Sequence, residues 1–151
     1  MNKDWKHKGF SLVELMIVVS IVAILAGIVY PSYLSQIQKT RRTDAKIGLT
    51  QLAQQLERCF TEFNVYNSAN CAIVGAGQSI NITSPDGRYT IKSQDAGNVE
   101  NLTASGFKLY ATPIGPQAND TCGTFTLDNF GNKTTIDSIG TESSTAPGCW
   151  E

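Results

Sequence analysis

The sequence predicts an α+β fold: a long N-terminal α-helix with a protruding apolar half and an amphipathic half packed on a small, disulfide-stapled antiparallel β-sheet. Three observations predict it. Phe10–Tyr30 is an apolar run carrying one charge, Glu14; from Leu34 to Phe63 apolar positions recur every three or four residues; and short alternating segments follow, separated by turn-forming residues. All four cysteines lie in the C-terminal two thirds of the 151-residue chain, where a small core needs staples.

The run FSLVELMIVVSIVAILAGIVY is 21 residues long, enough to cross a bilayer as a helix of roughly 30 Å. Lys3, Lys6 and Lys8 precede it and hold the N-terminus in the cytoplasm, which sends everything after Tyr30 across the membrane. There the cysteines meet an oxidising compartment. A secretory signal peptide fits less well, since no A-x-A site lies around Ala23–Gly27 and the run exceeds an ordinary h-region. A plain anchor leaves Glu14 unexplained. A charge near the centre of a membrane helix costs roughly 2.5–3.5 kcal/mol, less near the interface, so an acid here calls for a partner cation.

Pro31 follows the run and Gly27 lies one turn earlier, so the helix is expected to bend or loosen there without stopping. Beyond it Leu34, Ile37, Arg41, Ala45, Leu49, Leu52, Leu56, Cys59 and Phe63 form one face. Gln36, Lys39, Arg42, Lys46, Gln54 and Glu57 form the other. A continuous helix from Phe10 to about Phe63 is on the order of 80 Å long. Tyr89–Ser93, Phe107–Ala111 and Gly123–Leu127 alternate as strands, Lys133–Ile136 is a candidate fourth, and Pro85-Asp86-Gly87 is a turn before the first. The Leu49-Leu52-Leu56 stripe supplies the cover that the sheet's apolar face needs.

The residues KGFSLVELM, Lys8–Met16, resemble the processing site of type IV prepilins and the related pseudopilins. The resemblance implies cleavage after Gly9 by a prepilin peptidase, methylation of the new N-terminal Phe10, and pairing of Glu14 with the N-terminal amine of a neighbouring subunit. It divides the chain into a leader at 1–9, a membrane and filament-core half-helix at 10–31, and a globular head at 32–151. CGTFTLDNFG, Cys122–Gly131, with Cys149-Trp150 near the end, resembles the tail of Gram-negative minor pilins of the PilE type. That resemblance implies a Cys122–Cys149 bridge and therefore Cys59–Cys71; without it three connectivities stay open.

The expected function is that of a type IV pilus subunit, a minor pilin that joins or primes the filament for twitching motility, adhesion or DNA uptake. The alternatives are the major pilin and a type II secretion pseudopilin, the latter disfavoured by the cysteine pairs. Implied partners are major and minor pilins, the prepilin peptidase and an inner-membrane assembly platform. The precursor would sit in the inner membrane with its head in the periplasm, and then in the surface filament.

Catalysis has little footing, because the one histidine, His7, belongs to the leader. Neither a cofactor nor a metal is expected. The cysteines lack zinc-knuckle spacing. Gly75-Ala76-Gly77 lacks the Lys-Ser/Thr pair of a phosphate loop and reads as a flexible loop. Calcium at the Asp128–Asn132 turn is less favoured than an ordinary strand connection. The net charge of -1 gives no bulk support for nucleic acid, and Arg41-Arg42 is a small cationic patch beside Asp44. Its default is a solvated or inter-subunit face, with DNA the weaker reading.

Overall fold

In the computed structural model, which describes residues 9–144 and 146–150, helix α1 spans Leu12–Phe63. Among the described residues six strands follow: β1 (Asn81–Thr83), β2 (Tyr89–Lys92), β3 (Lys108–Pro113), β4 (Thr124–Asp128), β5 (Lys133–Ile136) and β6 (Glu142–Ser143). They form one antiparallel meander in which each strand pairs with the next in sequence. The chain divides into two compact units between Ile37 and Gln38.

In the first unit the large apolar side chains from Leu12 to Val29 are exposed. An 18-residue window of α1 has a mean hydropathy of 2.8, long and apolar enough to cross a membrane. The helix continues through Pro31, which lacks an N–H to donate. Ser20 Oγ donates to the Met16 carbonyl at 2.8 Å, keeping this hydroxyl paired inside its own helix as an apolar medium requires.

In the second unit Ala45, Leu49, Leu52 and Leu56 are buried against Tyr89, Ile91, Leu109, Ala111, Phe125 and Leu127. The strands explain this by alternation: Tyr89 and Ile91 on β2, Leu109 and Ala111 on β3, and Phe125 and Leu127 on β4 turn to the helix. Gly48 lets the helix approach β2, for a Cβ there would lie 2.5 Å from Ile91 Cδ1. Phe125 lies edge-on to both Tyr89 and Trp150, at centroid distances of 6.0 and 5.4 Å. The two disulfides join Cys59 to Cys71 and Cys122 to Cys149.

Three expectations are corrected. The sheet has six strands, and Pro85-Asp86-Gly87 is the hairpin between β1 and β2 rather than a turn ahead of the first strand. β1 is exposed at all three positions and β6 has only two residues, so neither shows the alternation that marks a half-buried strand. Arg42, placed on the solvent face, is buried together with Asp44. Arg42 lies three residues before Ala45 and seven before Leu49, which puts it on the core-facing stripe.

Candidate functional site

Gly9, Phe10 and Ser11 precede α1, and all three are exposed. The Ser11 carbonyl accepts the Leu15 N–H at 3.2 Å, which places Ser11 at the helix cap and Glu14 in the first turn. The helix's unpaired N–H groups favour a carboxylate there. Phe10 is 80% exposed and a Cβ on Gly9 would touch nothing within 4 Å, so the bond between them is open. Glu14 stands among exposed apolar neighbours, Leu12, Val13, Leu15 and Met16. The cations expected ahead of the run, Lys3, Lys6 and Lys8, and His7 lie outside the described residues.

The head carries a buried polar network that the sequence did not expose. Arg42 Nε donates to both Asp120 oxygens, at 3.1 and 2.9 Å, and Nη2 to Oδ1 at 2.6 Å, a forked ion pair between α1 and the loop before β4. Arg42 Nη1 donates to the Gly148 carbonyl at 3.0 Å. Burial acts to raise the Asp120 carboxyl, but hydrogen bonds from Arg42, the Cys122 N–H and Gln117 outweigh it and hold it below the ordinary carboxylate range. Tyr89, beside this pair, is pushed up to about 12, first by burial and then by the Asp120 charge.

Asp44 serves the opposite flank. Its carboxylate accepts Ser84 Oγ at 2.6 Å, the Asp86 N–H at 2.9 Å and the Arg88 N–H at 3.2 Å, pinning the β1–β2 turn to the helix. The Arg41-Arg42 patch is thus not a cationic pair facing solvent, because Arg42 is engaged inside the head. On the far face of the sheet Lys108 Nζ lies 2.6 Å from Glu142 in a groove of about 320 Å³. The hydrogen bond from Lys108 lowers the Glu142 carboxyl, helped by one from Thr134.

The Asp128 carboxylate is engaged within its own loop, accepting the Phe130 and Asn132 N–H groups and the Asn132 amide, as in an ordinary strand-connecting turn. Among the described residues no group of three or more His, Cys, Asp or Glu side chains could hold a metal ion, and there is no free cysteine. Gly75 lies in a loop whose turn is closed by its N–H donating to the Ser79 carbonyl at 2.9 Å. What the molecule presents is therefore one long apolar surface with a lone carboxylate, and a cross-linked head.

That build is the build of a pilin, and comparison with known proteins agrees. Residues 6–30 match the prokaryotic N-terminal methylation motif, and residues 31–126 match the family described as type IV minor pilin ComP, DNA uptake sequence receptor. The chain belongs to the type IV minor pilin family. The prepilin peptidase-dependent protein D of Escherichia coli (strain K12) is 31% identical over 123 residues, 78% of this chain and 80% of that protein. A fimbrial protein of Moraxella nonliquefaciens is 30% identical over 145 residues, 85% of this chain and 89% of that protein. A solved type IV pilin from Shewanella oneidensis is 25% identical, covers 76% of this chain and 98% of that one, and has a TM-score of 0.41. The protein is a pilus subunit, with a membrane-anchored precursor and other pilins as its partners.

Proposed function

We propose that the precursor is cut between Gly9 and Phe10 by a prepilin peptidase, methylated at Phe10, and drawn from the inner membrane into the filament by an assembly platform. The leader is 1–9, the membrane and filament-core half-helix 10–31, and the head 32–151 folds in the periplasm. Glu14 pairs with the Phe10 amine of an adjacent pilin. The observation that carries this reading is the exposed apolar helix with one carboxylate in its first turn. In lipid or in a filament core that charge is stable only with a cation beside it, and leaving either charge unpaired costs several kcal/mol. The pair therefore selects axial register among otherwise equivalent ways of stacking apolar helices.

The test is co-purification of Glu14 variants with sheared pili, with membrane level and cleavage measured alongside. Glu14→Ala should insert and be cut normally yet fail to join filaments, and Glu14→Asp should be partly defective because it reaches less far. Incorporation of the alanine variant at the wild-type level would remove Glu14 from assembly. For cleavage, a bulky residue at Gly9 should leave uncut precursor in the membrane.

A second reading, capture of DNA by the head, is favoured by the family matched over residues 31–126, whose description names a DNA uptake sequence receptor. Charge weighs against it. Removing residues 1–9 takes away Lys3, Lys6, Lys8 and Asp4, leaving 9 basic and 12 acidic residues, a balance of -3. Retardation of duplex DNA by the full chain in detergent decides: affinity that falls steeply from about 50 to 200 mM salt supports phosphate contacts, and no binding at low salt removes the reading.

A further inference from the structure

Arg42 reaches both segments that the Cys122–Cys149 bridge joins. Its guanidinium holds Asp120, two residues before Cys122, and donates to the carbonyl of Gly148, the residue before Cys149. Asp120 Oδ1 in turn accepts the Cys122 N–H at 3.2 Å. None of these contacts uses a sulfur. The same two stretches are therefore brought together by a non-covalent clasp and by a covalent bond, and the clasp is buried where its charge-assisted bonds are strongest.

We propose that Arg42 and Asp120 are positioning residues for disulfide formation, gathering Cys122 and Cys149 at the start of the head's helix and so selecting that pair among the three pairings that four thiols allow. Distance makes the selection. Arg42 and Cys59 are 17 residues apart on α1, roughly 25 Å at 1.5 Å per residue, whereas a bridge needs Cα atoms within about 7 Å. Both bridges have a Cα–Cα distance of 5.7 Å. With the clasp closed, Cys59 is out of reach of Cys122 and Cys149 and meets Cys71, 12 residues along the chain.

The chemistry is thiol–disulfide exchange with a small-molecule disulfide such as glutathione disulfide. One cysteine thiolate attacks a glutathione sulfur and expels a glutathione thiolate. The second cysteine thiolate then attacks the protein sulfur of the mixed disulfide and expels the other glutathione. Two protein thiols become one disulfide, one glutathione disulfide becomes two glutathione thiols, and the two protons lost by the cysteines pass through solvent to the departing thiolates. The clasp raises the effective concentration of one cysteine at the other in the second step.

The test equilibrates the full chain, in detergent, with graded ratios of reduced to oxidised glutathione, traps thiols by alkylation, and quantifies each bridge by peptide mapping. Asp120→Asn and Arg42→Lys should lower the equilibrium constant for Cys122–Cys149 by about tenfold or more, the fold-change of losing one charge-assisted hydrogen bond. The constant for Cys59–Cys71, far from the clasp, should stay within about twofold, and bridges from Cys59 to Cys122 or Cys149 should appear. Because Cys59–Cys71 reports whether the head stays folded in the same molecules, a parallel fall of both constants overturns the proposal. Arg42→Lys keeps the charge but not the fork, so it covers the case in which Asp120→Asn does not fold. A folded Arg42→Lys protein with wild-type constants overturns the proposal equally.

Discussion

Arg42 and Asp120 show what single residues do in this head and why one of them was misread. Arg42 stands at apolar spacing from Ala45 and Leu49, but its charge suggested a solvated face, and only a partner 78 residues away explains its burial. No local pattern announces such a partner. Removing one member should be severe: Arg42→Met leaves the Asp120 carboxylate buried and unpaired, and denaturant unfolding should show a loss of about 3–5 kcal/mol. The same pair gives the acid response its sign. Because folding lowers the Asp120 pKa, its contribution is fully present above the unfolded value near pH 4 and is lost as pH falls through the folded one. Unfolding curves between about pH 6 and pH 2 should therefore be less steep in pH for Asp120→Asn than for wild type. Gly123 is the second position of this kind. Its φ is +61°, and a Cβ there would lie 2.1 Å from the Ile136 carbonyl oxygen, backbone that cannot step aside. Gly123→Ala should cost about 1–3 kcal/mol by thermal or denaturant unfolding, from the left-handed backbone and the clash together.

At the scale of elements, the parts that bury a face were legible and the parts that do not were hidden. The Leu49-Leu52-Leu56 stripe and the alternating centres of β2, β3 and β4 follow from periods of 3.6 and 2, because each packs on one side against the core. The edge strands β1, exposed at all three positions, and β6, two residues long, bury no complete side chain, so propensity and pattern had no hold on them. The turns repeat one device. In Asp95–Val99, Asp128–Asn132 and Asp137–Thr141 the aspartate Oδ1 accepts the N–H groups two and four residues on, at 2.8–3.0 Å. The fourth residue of each has positive φ, at Asn98, Gly131 and Gly140. Asp and Asn-Gly chemistry of this sort is readable in sequence, as the Asp128 turn was. These carboxylates hold Phe130 and Ile139, 83% and 85% exposed, at the loop tips. Asp128→Ala should remove three hydrogen bonds at an exposed site and cost about 1 kcal/mol, with slower proteolysis at Phe130 in the wild type than in the variant as the local readout. A loss well above that would mean the turn sets the β4–β5 register rather than only closing it.

At the scale of the molecule, the question is how one chain carries two surfaces with opposite needs. More than a dozen large aliphatic side chains between Leu12 and Val29 are exposed, and burying each is worth about 1.5–3 kcal/mol. Summed, that is a few tens of kcal/mol, larger than the 5–15 kcal/mol by which a domain is ordinarily folded, so water is not the resting place of this half-helix. The head owes it nothing. Every member of the buried core cluster lies at or beyond Ala45, the Arg42 clasp and both disulfides lie beyond Gln38, and the compact units divide between Ile37 and Gln38. A chain beginning at Gln38 and secreted to an oxidising compartment should therefore form both native bridges, run as a monomer without detergent, and unfold in one cooperative transition. Trp150 is a built-in probe for it, since its ring packs on Phe125 and its Nε1 donates to the Thr134 carbonyl at 2.8 Å. Reduction of the bridges should lower the midpoint of that transition, because the link between Cys122 and Cys149, 27 residues apart, contributes about 3 kcal/mol or more. The full chain under the same conditions should require detergent or lipid. If the truncated chain needs detergent as well, or shows scrambled bridges, then residues before Gln38 take part in folding the head and the division of labour between filament core and head is wrong.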